Sequence, residues 1–270
     1  MHKPGARLCP RRPKPTRAGR RGQRTRGPTT GERTYEMENG IVGFATCLLV
    51  TAMVVFPLGG ALKRRPWLFY LAAALLVVSY ALYRYGGLFG SASLQVIAEP
   101  LRKGYMGSCL LAAVMFCGAL PPASPARAKV QPIRAELSIL SMIMFIPHII
   151  AYLPPYLPRF AFLLQSGSPI SYSMVVALVL TAIFVLLTVL SFKPIKSRVP
   201  FKAWKSVQRL SYFMMALLCA HIWLAIGRAA LFGQSQSALL PLAIYTAVIV
   251  IYATLRIRRA IMDGKARSPR

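Results

Sequence analysis

Two histidines are the residues of this chain whose type and placement best suit chemistry. His221 lies in a stretch, 210–227, that carries no charged residue, and His148 lies in a second apolar run. The chain has three histidines in all. An ionisable side chain inside a membrane span is costly to bury and is by default a candidate functional group. Two of them on separate helices point to something held between them. Their neighbours are apolar: Pro147 and Ile149 flank His148, and Cys219, Ala220, Ile222 and Trp223 surround His221.

Few ligands suit two neutral imidazoles in an apolar helix bundle with no carboxylate nearby. Haem iron with two axial histidines fits best, because the porphyrin is mostly apolar and helix bundles bind cofactors in their cores. Zinc would want four ligands. The nearest thiol, Cys219, is two residues from His221 and projects about 160° away around the helix. The plainer alternative is that each histidine only hydrogen-bonds a neighbouring helix. The five cysteines form no CxxC and no CxxCH, and Walker, GxSxG and HExxH motifs are absent.

The elements that must position these residues are set by composition. The 270-residue chain is 56% hydrophobic and 15% charged, with 34 Lys and Arg against 6 Asp and Glu. Long apolar runs make this an integral membrane protein and not a soluble domain. So few acids argue against paired-carboxylate catalysis. A net charge of +28 would suit nucleic acid, but after residue 40 the cations sit mostly between apolar runs, as juxtamembrane anchors do. No nucleic-acid partner is expected; membrane lipid is.

Seven apolar segments, about 41–61, 67–87, 105–121, 137–157, 171–192, 210–227 and 237–255, are each near the ~20 residues that a helix needs to cross ~30 Å of hydrocarbon. The expected fold is all-α: a polytopic membrane helical bundle of about seven transmembrane helices, since backbone groups in lipid must pair internally. Residues 1–36, with eleven Lys and Arg, read as a disordered basic arm. Eighteen Lys and Arg follow segments 1, 3, 5 and 7, against five at the opposite ends: Arg84, Arg102, Lys103, Arg159 and Arg228. The positive-inside rule puts the C-terminus inside. Seven spans then place the basic arm outside against its preference, a conflict removed if the protein begins at Met37.

That topology predicts depth. His148 is fourteen residues beyond Arg134, and His221 is twelve beyond Arg209. The rise of an α-helix then puts them about 21 and about 18 Å from the inner ends of their segments. Both belong in the outer half of the membrane at similar depth. Pro147, just before His148, is expected to kink its helix and open space for a ring.

The residues around these histidines resemble the ferric reductase-like transmembrane domain family. The closer likeness is to the haem-binding membrane subunit of periplasmic methionine sulfoxide reductase systems. That pattern is a Trp, two residues, then Leu-His-Arg-Leu-x-Tyr, with a second His thirteen residues after the first. Trp204, Arg209, Leu210 and Tyr212 match it, Val207 stands for the Leu, and Gln208 stands for the first His. An earlier helix of the family, Arg-x-x-Leu-Gly-Leu leading to His-x-x-x-Tyr, looks like Arg134 to Ile139 leading to His148 and Tyr152.

The resemblance covers about 103–257, read as the haem-binding bundle. Residues 37–102 are then two additional transmembrane helices, and 258–270 a basic cytoplasmic tail. It implies transmembrane electron transfer by an oxidoreductase subunit of cytochrome b type in a bacterial cytoplasmic membrane. The partner would be a separate flavoprotein, a reductase subunit or a quinone, and any flavin belongs to that partner. Gln208 is a poor iron ligand, so one b-type haem is expected, on His148 and His221. Tyr152 and Arg159 are candidates to meet its propionates; interfacial anchoring is their other reading. Arg134 and Arg209 have the same two readings, as contacts for a flavin phosphate or as anchors. The rival functions are a transporter or channel that uses the histidines as a proton relay, and an assembly subunit without a cofactor.

Overall fold

The computed structural model describes residues 30–86, 92–232 and 236–265, and among them every regular element is helical. The helices are α1 (Thr30–Val55), α2 (Gly59–Arg64), α3 (Pro66–Gly86), α4 (Ala92–Arg102), α5 (Tyr105–Ala119), α6 (Pro125–Val130), α7 (Arg134–Tyr156) and α8 (Phe160–Gln165). They continue with α9 (Pro169–Val189), α10 (Lys193–Lys196), α11 (Phe201–Gln208), α12 (Leu210–Ile222), α13 (Arg228–Leu231) and α14 (Gln236–Lys265). A single π-helical turn, Trp223–Gly227, joins α12 to α13.

Five helical stretches are long and apolar enough to cross a membrane: Pro66–Gly86, Pro125–Gln165, Pro169–Val189, Phe201–Leu231 and Ala238–Gly264. Two more apolar helices, Gly40–Val55 and Tyr105–Ala119, are shorter. The helical membrane bundle stands, therefore, with five spans of full length where seven were expected. At about 1.5 Å per residue, α5 reaches about 22 Å, short of the ~30 Å hydrocarbon thickness.

Protein on all sides explains why α5 can be short. A helix that is apolar all round belongs in a core, and α5 buries three faces in three clusters. Leu110, Val114 and Cys117 pack with Leu62, Val77, Leu137 and Met144 of α2, α3 and α7. Leu111, Met115 and Ala119 pack with Phe184, Met214 and Tyr252 of α9, α12 and α14. Tyr105 and Cys109 meet Cys47 and, at the edge, Phe44 and Tyr245. The outer helices instead expose apolar side chains, such as Leu71, Leu75 and Val78 on α3 and Leu178 and Val185 on α9, as lipid-facing surfaces do.

Small residues set the closest helix approach. A Cβ on Gly107 of α5 would fall 2.7 Å from the Phe145 ring of α7, and Ser141 donates a 2.8 Å hydrogen bond to the Gly107 carbonyl. Glycine and serine at such crossings let backbones approach and join them by a hydrogen bond.

Three boundaries differ from expectation. Residues 1–29 of the basic arm lie outside the described residues, but 30–36 belong to α1, which passes Met37 without a break. The amphipathic helix α4 stands where only a connection was expected. Its Glu99, Pro100 and Arg102 kept it from reading as a span. The tail expected from residue 258 continues α14 as far as Lys265, and 266–270 lie outside the described residues. Pro147 is buried within α7, which is helical on both sides of it.

Candidate functional site

α7 and α12 bring the two histidines together. Their ring centres are 6.3 Å apart and the planes are nearly perpendicular, at 87°. The helices carrying them come from separate apolar runs, and α9 packs beside both.

Each ring is fixed through Nδ1. His148 Nδ1 lies 2.8 Å from the carbonyl oxygen of Arg102, the last residue of α4. The final carbonyls of a helix have no intrahelical donor, so this one is free to accept. His221 Nδ1 lies 3.1 Å from the carbonyl oxygen of Ser173 and 3.0 Å from its hydroxyl. That hydroxyl is also 3.1 Å from the His221 carbonyl oxygen.

These contacts assign the tautomers. A carbonyl oxygen can only accept, so a nitrogen at that distance must carry the hydrogen. Both histidines are therefore Nδ1–H donors in their neutral form, and both Nε2 atoms keep a bare lone pair. A metal-binding histidine shows the same arrangement, with its other nitrogen donating to a carbonyl or carboxylate that orients the ring.

The spacing fits a shared metal. A metal–imidazole bond is about 2 Å, and a ring centre lies about 1.1 Å inside its nitrogen. Two axial imidazoles on one iron would then sit with centres about 6 Å apart. No group of three or more His, Cys, Asp or Glu among the described residues could hold a metal ion. The donor set is thus two imidazoles, which suits an iron whose other four ligands come from a porphyrin. In donor type and ring spacing the two histidines match what an iron porphyrin would need from the protein.

The close surroundings of His148 are built by α4, α5 and α7. Gly104 joins α4 to α5 at φ +73°, a left-handed conformation that glycine adopts without strain. A Cβ there would lie 3.4 Å from both the His148 ring and Phe145. Phe145, one turn before His148, packs edge-on to Phe184 of α9 at 5.6 Å. Glu99 and Arg102 of α4 form a bidentate pair with bonds of 2.8 and 2.9 Å.

The other residues singled out from sequence divide. Tyr152 lies one turn beyond His148, with ring centres 4.9 Å apart, and is partly exposed. Arg159 is exposed in the turn Leu157–Arg159 beyond the end of α7, about 16 Å of helical rise past His148. Gln208 closes α11, and its carbonyl takes a 2.7 Å hydrogen bond from the Ser211 hydroxyl. Tyr212 ties α12 to α14: the Arg256 guanidinium lies over its ring at 4.8 Å and donates to its hydroxyl. Trp204 stacks on Phe201 and lies under Lys196 at 4.5 Å.

Sequence reasoning passed over Arg102, Gly104 and Ser173. Arg102 counted only as a charge, although its main chain makes the contact. Ser173 carried a usable signal, a hydroxyl within an apolar run, where it must find a partner on a neighbouring helix.

The sequence of this region is not isolated. Residues 103–219 match the family described as ferric reductase like transmembrane component. The matched stretch runs from the α4–α5 corner into α12, takes in His148 and Ser173, and stops two residues before His221. Over 223 residues the chain is 29% identical to an uncharacterized protein of Treponema pallidum (strain Nichols), covering 81% of this chain and 61% of that protein. The chain thus spans about three-fifths of the relative's length. No solved structure matches.

Proposed function

We propose that this integral membrane protein carries electrons through one b-type haem held between His148 and His221. The observation that carries the proposal is the pair of fixed tautomers, which leaves two bare Nε2 lone pairs on rings 6.3 Å apart. Bound there, the haem would supply a one-electron redox couple. The chain's own part is to hold both imidazoles neutral and oriented, and to keep water out with Phe145, Phe184 and the lipid-facing helices.

One site follows from the residue count. His2 is the chain's third histidine and lies outside the described residues, so the described part can build a single bis-histidine pair. With Gln208 at the other end of the helix pair, electrons would be exchanged near the His148–His221 level. The partner would be a quinone in the bilayer, or a flavoprotein or reductase subunit at that face. An oxidised protein side chain is the terminal acceptor that the methionine sulfoxide reductase likeness favours. The distribution of Lys and Arg supports a C-terminus inside, and the family likeness favours a bacterial cytoplasmic membrane as the setting.

The proton-relay reading fares worse on geometry. Both Nδ1–H groups point at main-chain carbonyls, which cannot take up a proton near neutral pH and pass it on. The deciding measurement is the absorption spectrum of the detergent-purified protein, oxidised and dithionite-reduced, with haem counted per chain. About one low-spin b-type haem per chain, lost in both His148→Ala and His221→Ala, is the expected result. A haem-free protein from haem-replete cells would overturn the proposal.

A further inference from the structure

We infer that Ser173 is the positioning residue of this centre, holding His221 through its side chain and its main chain at once. The inference rests on the haem reading for its redox consequence, but the geometry stands without it. Ser173 is 3% exposed, in the second turn of α9, and faces the last turn of α12. Three contacts join the two residues: Nδ1 to the Ser173 carbonyl at 3.1 Å, Nδ1 to the Ser173 hydroxyl at 3.0 Å, and that hydroxyl to the His221 carbonyl at 3.1 Å.

The hydrogens can be placed in one way that satisfies all three. Nδ1 must be the donor, because the Ser173 carbonyl only accepts. The hydroxyl then cannot donate to Nδ1, and its single hydrogen goes to the His221 carbonyl. That turns a hydroxyl lone pair toward Nδ1–H, so the imidazole hydrogen is shared between two oxygens of one residue. The same hydroxyl ties down the backbone just ahead of the π-helical turn Trp223–Gly227, where the helical hydrogen-bond register changes. Ring tautomer, ring direction and local backbone are thus set by one serine.

His148 is the internal control. Its Nδ1–H meets one carbonyl, that of Arg102, and no hydroxyl among the described residues. Stronger hydrogen bonding at Nδ1–H makes an imidazole a better electron donor to a metal, which favours the oxidised form. Ser173 therefore lowers the reduction potential of the centre.

Two readouts test this. In haem-free protein labelled with 15N-histidine, Ser173→Ala should speed exchange of the His221 Nδ1–H with water about tenfold and leave His148 unchanged. In haem-loaded protein the same variant should keep its haem and shift the one-electron reduction equilibrium three- to tenfold toward the reduced form. Tenfold corresponds to about 59 mV. Ser173→Thr, which keeps the hydroxyl, should restore both values. If Ser173→Ala does not fold, Ser173→Cys, a weak donor of similar size, takes its place. Wild-type exchange and potential in the Ala or Cys variant would overturn the inference, as would a Thr variant that behaves like Ala. If the wild-type protein binds no haem, the haem reading fails, while the exchange measurement still decides the role of Ser173.

Discussion

The two ends of the helix pair formed by α7 and α11–α12 offer opposite surroundings. At the His148–His221 end, two neutral rings meet in a setting where main-chain carbonyls and one serine satisfy every Nδ1–H. At the Gln208 end, about 20 Å along the helix, the histidine of the resemblance is missing and the surroundings are cationic. Lys193, Lys196, Arg198, Lys202, Lys205 and Arg209 follow one another there without an acidic residue between them. Glu136 is buried and lies 3.9 Å from the Lys193 ammonium. A flat, mostly apolar cofactor with its own metal would suit the first end. Charges that belong at a membrane surface suit the second.

At the Gln208 end, residues that resemble a family pattern serve packing. Trp204, Leu210 and Tyr212 keep the family-like pattern, yet Trp204 serves a cation–π contact with Lys196 and Tyr212 anchors Arg256. These are packing roles. The histidine end keeps its pair and gains a contact from α4, which lies outside the matched stretch.

Breaking the close approach at the histidine end should have the largest effect. Gly107→Ala places a Cβ 2.7 Å from the Phe145 ring, and overpacking of this kind costs about 1–3 kcal/mol. Haem per chain and the thermal midpoint should both fall, while the same change at Gly118, where a Cβ meets nothing within 4 Å, should leave both near wild type. Gly104→Ala should act on the site more than on the fold. Forcing a Cβ into the left-handed conformation costs roughly 1–2 kcal/mol, and the new methyl touches the His148 ring at 3.4 Å. An altered low-spin signal at nearly full haem content is the expected spectrum. The smallest effect is expected at the other end: Gln208→His should leave haem at about one per chain, because one new imidazole has no opposing histidine among the described residues. A second haem in that variant would erase the difference between the two ends.

Much of the fold was legible because membrane spans are written locally. An apolar run of about twenty residues must pair its own backbone in lipid and so becomes a helix. Counting residues from Arg134 and Arg209 was enough to place His148 and His221 at one depth. The count misled where tertiary burial replaces lipid, as for α5, which is short because protein encloses it. It also missed α4, whose mixed polarity reads as a loop when only long apolar runs are sought.

The sequence alone therefore determined a helical membrane bundle and the residue types at the candidate centre, since hydropathy and helical rise are properties of consecutive residues. Only the tertiary structure decided which nitrogen of each imidazole is bare. That rests on the carbonyl of Arg102, 46 residues from His148, and on Ser173, 48 residues from His221. A main-chain carbonyl is the same in every residue, so no sequence pattern marks the one that a distant histidine will find; packing α4 on α7 and α9 on α12 does.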